Sequence, residues 1–260
     1  MEHFAKLPEG CISEIVSFTS PADASALSVI SKCFKSATES DTVWKKFLPS
    51  DIDEIVSKSP APFDLPPTKK ELYMFLSHSH ILLAGGKLGF SLDKRTGKKC
   101  FRVAGSELVF TQRNHSNSMY TEPELLCSRH SDFAVIKSDG SEFDVFGRIS
   151  SEKLSEKTHY SSYLVFMPSA ESASIALSFW GVCRFADNED RVVPERRVRF
   201  YNFRVPVVRD DGWLEVEIGT FFNAGGNRGD VESCLLSVFI GCGRFLIVRR
   251  LEFRPYRARA

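Results

Sequence analysis

Seven cysteines, six histidines and two runs of arginine are the residues of this chain best able to do chemistry, and their spacing decides which chemistries are open. A structural zinc site needs thiolate or imidazole pairs about two to four residues apart. Cys11, Cys33, Cys100, Cys127, Cys183, Cys234 and Cys242 are scattered, and no CxxC occurs. Of His78, His80, His115, His130 and His159, only His130 stands at such spacing from a cysteine, Cys127, and one such pair does not make a four-ligand site. Neither a bound metal nor a cofactor is expected. An odd, scattered set of cysteines is no disulfide framework, so the expectation is reduced, mostly buried thiols in an intracellular protein.

Nucleophile and phosphate chemistry fare no better. There is no GxSxG, no phosphate-binding loop and no metalloprotease pattern. Glu215 and Glu217 share one face of a strand, but two carboxylates on a wet face are not an acid–base pair without a raised pKa. The basic runs are Arg196-Arg197-x-Arg199 and Arg249-Arg250, with Arg254, Arg257 and Arg259. They could serve an anionic ligand or nuclear import. Strict alternation sets Arg250 and Arg254 on one side of a strand and Arg249 on the other, which favours a solvated face.

The elements that would position these groups change character along the chain. Leu7-Pro8 opens a helix in which Cys11, Ile12, Ile15 and Val16 recur on one face. Ser20-Pro21-Ala22-Asp23 supplies an N-cap, a proline at the first helical position and an acid at the third. Ala24, Leu27, Val29 and Ile30 follow, then a segment from Ser31 through Phe34 to Ser40. Asp41 is placed to cap a last helix carrying Val43, Trp44, Phe47 and Leu48. Proline and serine then dominate to Pro67, with a helical remnant at Ile52–Val56, and Thr68-Lys69-Lys70-Glu71 is a capping-box pattern before one more helix.

From Ile81 the period is two. Leu214, Val216 and Ile218 alternate with Glu215 and Glu217; Phe245, Ile247, Arg249, Leu251 and Phe253 predict one face of a strand near the C-terminus. Turn signals at Lys94–Gly97, Ser138–Gly140, Arg209–Gly212 and Gly225–Gly229 separate the strands. Many short strands without helices between them predict an antiparallel β domain. The 22 phenylalanines fit it, because aromatic side chains suit half-buried strands. The domain expectation is a helical module over 1–50, a Pro-rich linker over 51–69 and a β domain over 70–260.

A net charge of +1 covers an acidic first sixty residues, with six Lys/Arg and nine Asp/Glu, and a mildly basic remainder. Neither is strong enough for binding driven by nucleic-acid phosphates. Residues 1–6 lack the apolar core of a signal peptide, and no run of about 18 apolar residues could span a membrane.

The ordered set Leu7-Pro8, Ile12, Ile15-Val16, Ser20-Pro21-x-Asp23, Val29, Ser31, Phe34 and Ser40-Asp41-x-Val43-Trp44 resembles an F-box over about residues 5–50. The resemblance implies docking on a Skp-type adaptor of a cullin-based ubiquitin ligase through Leu7, Pro8, Ile12, Val16 and Trp44. A module this small leaves apolar surface that a partner can cover.

Residues 70–256 are similar to the phloem protein 2 family, the Nictaba-like lectins. The match lies in Phe90–Phe101 (FSLDKRTGKKCF), Phe146–Ile149, His159–Phe166, Asp211–Gly219 (DGWLEVEIG) and Leu251–Pro255. The implied fold is a jelly-roll-type antiparallel β-sandwich. Family lectins bind N-acetylglucosamine oligomers or N-glycan cores, with tryptophans early in the domain. Here Phe110 stands where a tryptophan is expected, and the loop Asn114–Glu124 holds Tyr120 but no tryptophan. Phe lacks the larger face and N–H of an indole. Trp213 is a further candidate, for a binding rim or for packing.

Together these readings predict a non-enzymatic, substrate-recruiting subunit in the cytoplasm or nucleus. Its partners would be a Skp-type adaptor, through it a cullin, and a client protein, glycosylated or not. Neither nucleic acid nor membrane is among them. The alternative is a carbohydrate-binding protein whose helices no longer dock.

Overall fold

The computed structural model describes residues 7–60, 65–112, 127–129, 132–138, 140–168, 178–186, 206–226, 229–240 and 242–257. The chain divides into two compact units, Met1–Gly85 with Phe90–Cys100, and Gly86–Gly89 with Phe101–Ala260. Helices come first and antiparallel strands follow, as the residue patterns predict.

The first unit holds α1 (Glu9–Ser17), α2 (Pro21–Leu27), α3 (Lys32–Glu39), α4 (Asp41–Phe47), α5 (Ile52–Ser57) and α6 (Lys69–His78). Two begin with complete capping boxes: Ser20 with Asp23, and Thr68 with Glu71. In each, the hydroxyl accepts from the third helical N–H while the acid accepts from the cap N–H, so two otherwise orphaned donors are satisfied. Helix α4 is capped by the Ser40 hydroxyl rather than by Asp41, whose Oδ1 accepts from Lys69 N at 2.9 Å. Within residues 51–69, α5 buries Ile52, Ile55 and Val56.

The hairpin of β2 (Leu88–Leu92) and β3 (Lys99–Ala104) straddles the division, and its tip, Phe90–Cys100, belongs to the helical unit. Before it lies the short β1 (Ile81–Leu83).

The second unit contains β4 (Val109–Gln112), β5 (Cys127–Arg129), β6 (Ala134–Lys137), β7 (Phe143–Ser150), β8 (Thr158–Pro168), β9 (Ser178–Phe185), β10 (Val207–Val208), β11 (Leu214–Asn223), β12 (Asp230–Phe239) and β13 (Phe245–Pro255). One sheet runs β3-β13-β8-β11-β10, with β6 also on β13 and β5 on β6; the other runs β4-β7-β12-β9. Val216 and Ile218 are buried, as the alternation in β11 predicts.

Strand β13 departs from its expected pattern. Leu246 and Val248 are buried in its first half, Leu251 and Phe253 in its second, while Phe245 is exposed. The register explains the switch: Val248 pairs with Phe166 and Arg250 with the preceding residue, Val165, so Arg249 is an extra residue. A β-bulge of this kind moves every later side chain to the other parity.

The interior of the second unit is shared by both sheets. A cavity of only about 10 Å³ is lined by Val145 and Leu235 from the smaller sheet and Leu164, Val216 and Leu246 from the larger. Close approach is enforced in places by glycine: a Cβ on Gly181 of β9 would collide with the Ile218 carbonyl oxygen of β11. Ser162 Oγ lies 2.8 Å from both Ser233 Oγ and Cys183 Sγ, so polar atoms here are met internally. Burial pushes the Cys183 thiol up, and it stays neutral and inert.

Candidate functional site

In the helical unit, the geometry of α1 separates two classes of apolar side chain. Ile12 and Val16 are 1% and 0% exposed, whereas Ile15 is 45% and Phe18 74% exposed. The buried face is Ile12, Ser13, Val16 and Ser17, one residue on from the face predicted from Cys11, because Ser13 Oγ donates to Ala37 O on α3. Leu7 and Pro8 are exposed at the helix start, and Val29 and Ile30 are exposed after α2.

Trp44 lies at the centre of this unit. Its ring meets Phe47 edge-on at 5.6 Å and Tyr73 at 5.1 Å, and its Nε1 donates to Thr38 O at 2.7 Å. Ile12, Val16 and Trp44, expected at the adaptor contact, are therefore interior residues; the indole has neither face nor N–H left over for a partner. Solvent sees Leu7, Pro8, Ile15, Phe18, Val29 and Ile30 instead.

The hairpin tip Asp93–Lys99 is built into the same unit. Asp93 Oδ1 accepts from Arg95 N, Thr96 N and Thr96 Oγ1 at 3.2, 3.0 and 2.8 Å, so the turn amides already hold an anion of their own. Tyr73 Oη donates towards Asp93 O and Lys94 O, and Lys99 Nζ pairs with Asp51 at 2.6 Å. Burial, then the Asp93 charge, push the Tyr73 phenol up, keeping it a donor. Gly97 has φ +70°, and a Cβ there would sit 2.6 Å from Phe47 O. The DKRTG run is thus a docking turn.

In the β unit, Phe110 is 7% exposed, facing the interior from β4. Tyr120 and the loop Asn114–Glu124 lie outside the described residues, as does Arg196–Arg199. Trp213 is half-buried, with the Arg249 guanidinium 5.0 Å from its ring centroid. Phe110 is thus turned inward, and one face of the Trp213 ring is covered by Arg249.

The densest charge cluster is one that alternation did not predict. Glu252, 2% exposed, is approached by Arg250 Nε at 2.5 Å, Arg254 Nε at 3.4 Å, Arg209 Nη1 at 3.5 Å and Arg102 Nε at 3.6 Å. Glu215 binds Arg209 at 2.7 Å and Arg254 at 2.9 Å. Asp211 is met by Arg249 at 3.3 Å and Arg209 at 3.5 Å. The bulge thus brings Arg249 into the same network as Arg250 and Arg254. Burial alone would raise the Glu252 carboxyl; Arg254, Arg250, Arg102 and Arg209 outweigh it and hold it at about 2. Burial likewise lowers Arg209, but Glu252, Glu215 and Asp211 bring its net shift upward. On the other sheet Glu232 bridges Arg148 and Arg184 at 2.8 and 2.6 Å, a cross-strand ladder with both arginines exposed. Arg209 and Asp211 are marked in the sequence only as a turn and Glu252 only as part of a strand; that these charges meet one another and Arg102 is revealed by pairing across strands alone.

Among the described residues no group of three or more His, Cys, Asp or Glu could hold a metal ion, and no helix is long and apolar enough to cross a membrane. The chain is thus a helical unit with exposed apolar side chains followed by a unit of antiparallel sheets. Comparison with known proteins places it. The F-box domain model matches residues 4–46 and the Phloem protein 2 model residues 98–255. The chain belongs to the phloem protein 2 family, in the form that carries an F-box. Three Arabidopsis thaliana proteins illustrate the likeness. F-box protein PP2-B7 is 33% identical, across 96% of this chain and 83% of its own. F-box protein SKIP3 is 32% identical, across 96% and 87%. F-box protein PP2-B10 is 32% identical, across 97% and 94%.

Proposed function

We propose that this chain is the substrate-recruiting subunit of a cullin-based ubiquitin ligase, with the helical unit docking on a Skp-type adaptor and the two-sheet unit, a jelly-roll-type sandwich, presenting the client-binding surface. The observation that carries the reading is the F-box match over residues 4–46, on which Ile15, Phe18, Val29 and Ile30 stand exposed around a core closed by Trp44. Apolar side chains left in water on a small folded module are the material of a protein interface. A cullin reached through the adaptor, and a place of work in the cytoplasm or nucleus, follow from that role.

The test is co-purification of the full chain with a Skp-type adaptor, beside Phe18→Ser and Ile30→Ser. Loss of the complex in variants that keep the wild-type melting curve supports the reading. Failure of the wild-type chain to bind any Skp-type adaptor sinks it. Glycan recognition is the rival reading, tested by titrating the full chain with N-acetylglucosamine oligomers.

A further inference from the structure

The arginines of this cluster outnumber the acids they are paired with. Arg102, Arg209, Arg249, Arg250 and Arg254 face Asp211, Glu215 and Glu252, with Glu217 one alternation further along β11 beside Ser161. Five guanidiniums carry about 25 N–H donors, and three carboxylates offer about 12 acceptor positions. Five arginines stand against four acids with Glu217 counted, and Asp210 on the same turn brings the count level. The arginines are not loose: Arg254 stacks on Tyr163 at 3.8 Å and Arg249 on Trp213 at 5.0 Å, which fixes both planar forks before any ligand arrives. The side chains of Arg209, Arg249 and Arg254 remain 21%, 32% and 32% exposed.

The acids are held unequally. Glu252 is sealed beneath four arginines. Asp211, on the turn ending at Gly212, is 42% exposed, and its arginine contacts of 3.3 and 3.5 Å exceed the roughly 2.7–2.9 Å of a strong charge-assisted bond. Asp211, whose Oδ1 also accepts from Trp213 N at 3.3 Å, is a loosely held carboxylate between Arg249, oriented by the Trp213 ring, and Arg209, oriented by Glu215.

We propose that Arg209 and Arg249 form a binding site for a phosphate monoester, which takes the place of the Asp211 carboxylate between them. A dianion with three oxygens outcompetes one loosely held carboxylate for two forks, and a phosphorylated segment is the form in which a protein ligand presents it. The ligand source is a phosphoserine peptide or free phosphate; the site chemistry is common to both. The proposal does not depend on adaptor docking.

The experiment titrates the full chain, without adaptor, following tryptophan emission and heat. The probes are a phosphoserine peptide with uncharged flanks, the same peptide unphosphorylated, and inorganic phosphate. The phosphopeptide is expected to bind at least about tenfold tighter than its unphosphorylated form. Arg249→Gln is expected to weaken that binding about tenfold, and Asp211→Asn to strengthen it about threefold, because the competing carboxylate is gone. Inorganic phosphate binding as tightly as the peptide, with the same response to both variants, identifies the ligand as free phosphate and keeps the site. If Arg249→Gln does not fold, Asp211→Asn decides alone. Binding unchanged or weakened in Asp211→Asn, or no phosphate-dependent binding to the wild-type chain, overturns the proposal.

Discussion

The indole N–H of Trp44 donates a 2.7 Å hydrogen bond to the carbonyl of Thr38, joining α4 to the end of α3 inside the helical unit. Tyr73 of α6 packs on the same ring. A tryptophan that ends a run of small helices is thus spent on holding those helices together.

Trp44→Ala should therefore act through stability. Removing a fully buried indole costs about 3–5 kcal/mol, and the lost hydrogen bond strands the Thr38 carbonyl. Thermal melting should show the first unit unfolding early, with adaptor binding lost as a consequence. Phe18→Ala should instead leave melting within about 0.5 kcal/mol of wild type and weaken adaptor binding. Equal melting of Trp44→Ala and wild type would contradict the interior placement.

The hairpin tip should share the fate of the helices. Gly97→Ala places a Cβ against Phe47 O at a positive φ, a strain of about 1–3 kcal/mol or more. Hydrogen exchange is the measurement: amides of Arg95, Thr96 and Gly97 should exchange far faster in a fragment beginning at residue 70 than in the whole chain. That fragment lacks Phe47 and Asp51, against which the tip is packed and paired. Unchanged protection would show the tip to be self-sufficient.

Acid should expose the weight carried by Glu252. Its folded pKa is depressed to about 2 from 4.5, so its contribution is present in full above the unfolded value and is lost as pH falls through the folded one. A few kcal/mol should disappear between about pH 5 and pH 2. Glu252→Gln should be less stable at neutral pH, since four arginines lose their shared carboxylate, and its acid limb should be flatter. Denaturant melts at several pH values give both slopes; parallel curves for the two proteins would refute the assignment.

Chitin oligomers should bind weakly. Phe110 faces the interior and one face of the Trp213 ring is covered by Arg249, so the two described aromatic candidates offer little stacking surface. Losing about 1–2 kcal/mol for each missing indole contact takes a micromolar lectin towards millimolar. Calorimetric titration of the full chain that returns micromolar affinity would reinstate glycoprotein recruitment as the mechanism.

Local chemistry was readable from residue order alone. The capping boxes at Ser20–Asp23 and Thr68–Glu71, the turn at Lys94–Gly97 and the alternation in Leu214–Ile218 depend on neighbours a few residues apart, and each forms as its sequence requires. So does the ordered run from Leu7 to Trp44 that marks the helical module. What the tertiary structure decided is which of two equivalent faces is buried and which distant charges meet. Ile12 and Ile15 are alike as residues; only the packing of α3 on α1 buries one and leaves the other in water. In β13, a period of two carries no warning that Arg249 is extra, because a bulge is set by the partner strand, here by Phe166 and Val165 of β8. That one residue of slip joins Arg249 to Asp211, beside the four arginines gathered around Glu252, a constellation assembled from β3, β13 and the turn Arg209–Gly212. Charge attraction across a sheet depends on register, and register is a property of the pair of strands rather than of either sequence alone.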